Sequence, residues 1–186
     1  WIIVPKSEMP EGLTFEEVSD YITLETALQT YASNYRSSYK DEWYDGCGLE
    51  EDEYELLKQS MLKSVYENGG FYIGKYEVGS FDNPVTAPDT TRKAVIQKGA
   101  YPYNYVPCEK AQELSERLTT GGKTSSLMFG IQWDLVLKYL EVNGEWDTTT
   151  NEASYYLKTN SGSWGNYSDV NFTVSVENKY AIASNY

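Results

Sequence analysis

Apolar residues recur every three or four positions in several parts of the chain, which is the spacing of a helix with one buried face. The clearest segment spans residues 50–66, where acidic residues begin the helix and Asn68-Gly69-Gly70 ends it. Its apolar face comprises Tyr54, Leu57, Met61, Leu62 and Val65. The same spacing predicts helices over residues 15–35 and 108–118, and a fourth helix after a short lead-in within residues 125–140.

A different pattern follows the helix that ends at Gly69-Gly70. Aromatic and β-branched residues run from Phe71 to Val78 and are closed by Gly79, which predicts a strand. Alternate side chains of this strand would face opposite sides, with Phe71 and Ile73 on one side. Shorter apolar runs predict further strands at residues 1–5, 93–97 and 172–176.

The composition adds an unusual aromatic content to this picture. The 186 residues include 18 Tyr and 5 Trp. Tyrosine and tryptophan cover large areas while a polar tip stays hydrated, so they are common at exposed binding surfaces. Half-buried packing in tyrosine-rich strands would produce the same composition, and both interpretations stay open.

The charge of the chain excludes several kinds of partner and chemistry. The formal net charge is −13, and Lys and Arg are scattered singly apart from Arg92-Lys93. Phosphate backbones and anionic lipids would be repelled, so we expect no nucleic-acid partner and no membrane insertion. The chain contains no histidine, which removes the usual general base and the usual imidazole metal ligand.

Two cysteines, Cys47 and Cys108, match no metal-ligand spacing. They could form a disulfide, remain as buried thiols, or include one of each, and we expect a structural role for both.

The acidic window at residues 41–52 has Asp at its first and fifth positions and Gly46 at its sixth, as in a calcium-binding loop. Its third position is Trp43, which cannot bind calcium, so a solvated helix start is the favoured interpretation and no metal site is assigned.

Three segments resemble the formylglycine-generating enzyme/sulfatase-modifying domain. The run Phe71-Tyr72-Ile73-Gly74-Lys75-Tyr76-Glu77-Val78 is similar to the family's entry strand. Gln132-Trp133-Asp134 stands where the family has Glu-Trp-Glu, and Ser163-Trp164-Gly165-Asn166-Tyr167 is similar to its Gly/Asn/Trp-rich loop. The resemblance covers residues 65–168.

The resemblance implies an α+β fold of the C-type lectin-like class, with two or three helices, a small mixed sheet and long irregular loops. It divides the chain into an N-terminal strand and helical region at residues 1–68 and the front part of the domain at residues 69–186, packed as one unit. It also implies that Trp133 packs its helix against the sheet. The expected core comprises Phe71, Ile73, Leu127, Phe129, Trp133, Leu137 and Leu140.

Family oxidases use a cysteine pair late in the domain, and neither Cys47 nor Cys108 stands at the corresponding place. We therefore predict no catalytic residues and no cofactor. The resemblance implies a lectin-like binding or display module of a bacterial surface protein or phage, located extracellularly, on the cell surface or on a virion. Its aromatic, acidic loops would contact a protein or glycan. The predicted binding residues are Trp43, Tyr44, Trp146, Tyr155, Tyr156, Trp164 and Tyr167.

Two alternative functions stay open at this point. The chain could be part of a formylglycine-generating oxidase whose active half lies outside it, or a structural subunit of a fibre, pilus or capsid. Only ten residues follow the predicted strand at residues 172–176, and we expect a further segment or subunit to complete the sheet because open edges recruit pairing.

Overall fold

The computed structural model describes residues 1–36, 40–82, 91–103 and 105–143. These residues form an α+β fold with four α-helices and two small antiparallel sheets. The helices are α1 (Val18–Tyr31), α2 (Glu51–Asn68), α3 (Cys108–Glu116) and α4 (Gly130–Asn143). The strands are β1 (Ile2–Ile3), β2 (Gly70–Phe71), β3 (Gly79–Ser80) and β4 (Tyr101–Pro102), and a 3₁₀ turn lies at Lys6–Glu8. The described part therefore has the four helices that the apolar spacing predicts rather than the two or three that the resemblance implies, and its sheets are antiparallel rather than mixed.

The first sheet pairs β1 with β2, so that Ile2 faces Phe71 and Ile3 faces Gly70. Gly70 has φ 151°, and a Cβ atom there would lie 2.0 Å from the Ile2 carbonyl oxygen. Only glycine allows the two backbones to approach this closely. The strand predicted over residues 71–78 shortens to β2 because β1 ends before Pro5, which leaves the later residues without a partner strand.

The second sheet pairs β3 with β4 through Gly79–Pro102 and Ser80–Tyr101. The strand predicted at residues 93–97 reduces to a single bridge between Val95 and Gly79. The strand predicted at residues 172–176 lies outside the described residues.

Both ends of α2 follow from local sequence. Glu50 and Glu53 form a capping box at its start, where each side chain accepts a backbone N–H at the position of the other. Gly69 ends the helix in the left-handed conformation with φ 73°. Helix α1 begins after Glu17, which occupies its N-cap, and Asp20 in the first turn accepts hydrogen bonds from the Thr14 and Phe15 backbone N–H groups.

Helix α1 packs against α2 and α4, while α2 contacts β2 and α4 contacts β1. These contacts bury one apolar cluster between the three helices and the first sheet. Its buried members are Ile2, Val4, Met9, Leu24, Leu28, Ala32, Leu62, Val65, Phe71, Phe129, Ile131, Leu135 and Val136. Ile73 and Leu140 are partly buried and pack against the cluster, as predicted.

The prediction for Trp133 is wrong, because its side chain is 47% exposed. The buried positions on α4 are Ile131, Asp134, Leu135 and Val136, and they lie on the side of the helix that meets the core. An α-helix turns about 100° per residue, so Trp133 lies about 200° from Ile131 on the outer face. The predicted core members Leu127 and Leu137 are only partly buried and lie outside the central cluster.

One buried ion pair also joins α4 to the segment after α1. Asp134 is 1% exposed, and its Oδ2 lies 3.3 Å from Nη1 of Arg36. A buried carboxylate requires such a partner because desolvation penalises an isolated charge. No helix in the described part of the chain has the length and apolar composition of a membrane span.

Candidate functional site

A cavity of about 200 Å³ lies between the loop at residues 40–49, helices α2 and α3, and the segment that leads into α4. The loop contributes Tyr44 and Cys47 to its lining, and α3 contributes Cys108 and Gln112. Tyr44 is 53% exposed, so it stands at the mouth of the cavity. The cavity therefore combines a solvent-facing aromatic ring with polar groups fixed in the protein.

The loop at residues 40–49 is held by its own hydrogen bonds and by close backbone packing. Trp43 Nε1 donates to the Leu49 carbonyl oxygen at 2.9 Å. Gly48 has φ 93°, and a Cβ atom there would lie 2.7 Å from the Cα atom of Glu109. Any side chain at this position would force the loop away from α3.

Asp41 attaches the beginning of the loop to the start of α4. Its Oδ1 accepts a hydrogen bond from the Gly130 N–H at 2.7 Å, and its Oδ2 accepts from the Ile131 N–H at 2.9 Å. The Asp41 carbonyl oxygen accepts a further hydrogen bond from Lys58 Nζ at 2.9 Å. A carboxylate is well suited to the unpaired N–H groups and positive dipole end of a helix N-terminus. Its position explains this acidic residue without a calcium ion.

The two cysteines lie together at the cavity wall, and both thiols are free. The Tyr44 hydroxyl donates to Cys108 Sγ at 2.9 Å, and Cys108 Sγ donates to the Cys47 carbonyl oxygen at 3.7 Å. The hydrogen bond to Cys108 raises the pKa of Tyr44, because donating the hydroxyl proton favours the neutral phenol. The Tyr44 and Cys108 side chains and the Cys47 backbone carbonyl thus form a connected group across the loop and α3.

Gln112 supports the opposite side of the cavity. It is 3% exposed, and its Oε1 accepts a hydrogen bond from the Leu127 N–H at 3.1 Å. Its Nε2 donates to Glu116 Oε1 at 2.9 Å. The buried amide therefore positions the segment that leads into α4.

Tyr54 and Phe129 form the aromatic part of the wall, with ring centroids 5.4 Å apart and nearly perpendicular planes. Burial raises the pKa of Tyr54, and the nearby Asp41 carboxylate raises it further. Leu57 and Met128 add apolar surface beside these rings. The wall is mostly apolar, and its few polar groups are directional, as is usual for ligand sites.

The structure places two of the predicted binding residues at this loop. Tyr44 lines the cavity, whereas the half-buried Trp43 is committed to Leu49 and does not line it. The other five predicted binding residues lie outside the described residues. They are Trp146, Tyr155, Tyr156, Trp164 and Tyr167.

Sequence reasoning missed Asp41 and Gln112 as the residues that shape the cavity. Asp41 caps a helix that begins 89 positions later, and no local spacing reveals such a partner. Gln112 offers a fainter signal, because it lies one turn before the buried Ser115, and a polar residue on a buried helix face must find buried hydrogen bonds.

The side chains that line the cavity are chemically suited to binding. The cavity offers a phenol, an amide and a thiol, and the charged side chains of Lys40 and Glu42 lie at its exposed side, 3.3 Å apart. Within the described ranges, no three Asp, Glu or Cys side chains are grouped as metal ligands.

Comparisons of the chain with protein-family models, with curated proteins and with solved structures found no match. The resemblance to the formylglycine-generating domain therefore stays a prediction from the sequence segments that carry it. The structural basis for a function is the geometry of the cavity and its loop.

Proposed function

We propose that the protein is a non-catalytic binding or display module that contacts a protein or glycan through the aromatic, acidic loop at residues 40–49. The observation that carries this proposal is the exposed ring of Tyr44 at the mouth of the cavity. An exposed aromatic ring beside a concave wall is a common anchor at interfaces and a stacking surface for sugars.

The loop is suited to recognition because it is ordered before a ligand arrives. Trp43 closes the loop on itself by its hydrogen bond to Leu49. Asp41 attaches the loop to α4, and Gly48 packs it closely against α3. Binding to a fixed loop avoids much of the entropy cost of ordering side chains at the moment of association. The hydrogen bond from Tyr44 to Cys108 also restricts the orientation of the phenol ring.

The size of the cavity indicates what part of a ligand would enter it. Its volume of about 200 Å³ is smaller than the roughly 300–1,000 Å³ of sites that enclose drug-sized ligands. We therefore propose that one terminal group enters, either a side chain of a partner protein or a terminal sugar, while the rest of the ligand lies across the loop surface.

The proposal extends to the fold and the setting of the protein. We propose that the α+β architecture belongs to the C-type lectin-like class and that a bacterial surface protein or phage displays it outside the cell or on a virion. The remaining predicted aromatic residues would enlarge the same binding surface. A further segment or subunit would complete the fold.

The proposal is tested by applying the full chain to arrays of glycans and of bacterial surface proteins. We expect a ligand whose signal falls at least tenfold for Tyr44→Ala and is retained for Tyr72→Ala. Tyr72 is an exposed tyrosine outside the cavity lining, so it is a matched control. An absence of ligands on both arrays, or equal binding by Tyr44→Ala, would contradict the proposal.

A further inference from the structure

We propose that Cys47 and Cys108 are a thiol pair that forms an intramolecular disulfide by exchange with a low-molecular-weight disulfide such as glutathione disulfide. The bond would join the loop at residues 40–49 to the first turn of α3, directly beside Tyr44. This inference concerns covalent modification of the cavity wall and does not depend on any ligand.

The backbones that carry the two cysteines approach each other closely at the residues that follow them. A Cβ atom on Gly48 would lie 2.7 Å from the Cα of Glu109, so the two Cα atoms lie within about 4 Å when the bond of about 1.5 Å is added. Cys47 and Cys108 are the residues that directly precede this closest approach. Disulfides join residues whose Cα atoms are about 4.4–6.8 Å apart.

The Cys108 thiol already contacts the backbone of Cys47. Cys108 Sγ lies 3.7 Å from the Cys47 carbonyl oxygen, and the Cys47 Sγ lies 3.4 Å from the Leu49 carbonyl oxygen. The Cys47 thiol must turn from Leu49 toward Cys108, which is a rotation between staggered side-chain conformers. The hydrogen bond that it leaves is a weak one because a thiol is a poor donor.

Differences in burial set the order of the exchange steps. Cys108 is partly exposed and Cys47 is buried, so the Cys108 thiolate attacks the small disulfide first. This step forms a mixed disulfide at Cys108 and releases one small thiol. The Cys47 thiolate then attacks the Cys108 sulfur and releases the second. The protein loses two protons and two electrons, and the small disulfide gains both to become two thiols.

The full reduced chain is incubated with mixtures of glutathione and glutathione disulfide, quenched by alkylation and analysed by mass spectrometry. We expect a product that is lighter by two hydrogen atoms, resists alkylation and yields one linked Cys47–Cys108 peptide pair. Its formation constant in the native protein should exceed that in urea-unfolded protein at least tenfold, because the fold holds the two thiols together.

Single variants provide the matched control for the order of attack. Cys47→Ser should stop at a mixed disulfide with glutathione on Cys108, whereas Cys108→Ser should react more slowly because its remaining thiol is buried. Native wild-type protein that acquires only mixed disulfides, or that forms the linked pair no better than unfolded protein, would overturn the proposal. The comparison of native and unfolded wild type decides the matter even if a variant fails to fold.

Discussion

At the scale of single residues, Asp41 connects parts of the chain that are far apart in sequence. Its two carboxylate oxygens accept the Gly130 and Ile131 N–H groups at the start of α4, and its carbonyl accepts Lys58. The residue is only 9% exposed. Water therefore cannot readily replace these interactions.

Replacing Asp41 by alanine should lower the free energy of unfolding by about 2 kcal/mol or more, because two N–H groups of a helix start lose their acceptor. Urea denaturation of the full chain measures the change. Glu42→Ala is the matched control, since its carboxylate is exposed and pairs with the exposed Lys40. That variant should change stability by less than about 0.5 kcal/mol. Equal losses for both variants would contradict the assigned role of Asp41.

The two faces of α4 should respond differently to truncation. Leu135→Ala should cost about 2–5 kcal/mol because the side chain is buried in the core. Trp133→Ala should cost clearly less, since that residue is about half exposed on the outer face. Thermal or urea unfolding compares the two variants. A larger loss for Trp133→Ala would show that the tryptophan is buried and that the helix is rotated.

Tyr54 should make the fold sensitive to alkaline pH. Burial raises the pKa of Tyr54 in the folded state, so the folded protein holds the phenol proton more tightly than the unfolded chain does. This contribution is complete below the unfolded pKa of about 10 and is lost as the pH rises toward the folded value. Tyr54→Phe should flatten the loss of stability above about pH 10. Identical alkaline profiles for the wild type and this variant would contradict the assignment.

At the scale of elements, the sequence predicted the limits of helices more accurately than those of strands. The limits of α2 are set by Glu50, Glu53 and Gly69, all of which lie within or next to the helix, so local reasoning located both ends closely. The strand predicted from Phe71 depended on a partner strand, and β1 is too short to supply one. Its extent was therefore decided by residues about 70 positions away, which no local pattern contains.

The pairing of β1 and β2 depends on Gly70, and a substitution there should break it. Gly70→Ala places a Cβ atom against the Ile2 carbonyl oxygen in addition to straining the backbone. Gly12→Ala is the matched control, because Gly12 also has a positive φ but open space around its Cα. We expect Gly70→Ala to lose at least about 1 kcal/mol more stability than Gly12→Ala. Equal thermal stabilities would contradict the close approach of the strands.

At the scale of the whole molecule, the α+β class was predictable and the site was only partly so. The exposed position of Tyr44 was predictable, because aromatic side chains with a polar tip are common on exposed loops. Its surroundings were not, since Cys108, Gln112 and Phe129 reach the cavity through tertiary packing. The prediction for Trp133 failed for a related reason, as a tryptophan in an apolar helix does not reveal which face meets the core.

The position of the ligand site is the central claim, and amide hydrogen exchange tests it most directly. Exchange of the full chain is measured with and without the strongest ligand from the arrays. We expect slower exchange in the loop at residues 40–49 and in the first turn of α3, with β1 and β2 unchanged, because the cavity lies between that loop and α3. Slower exchange elsewhere in the protein, with the loop at residues 40–49 unaffected by the bound ligand, would contradict the account.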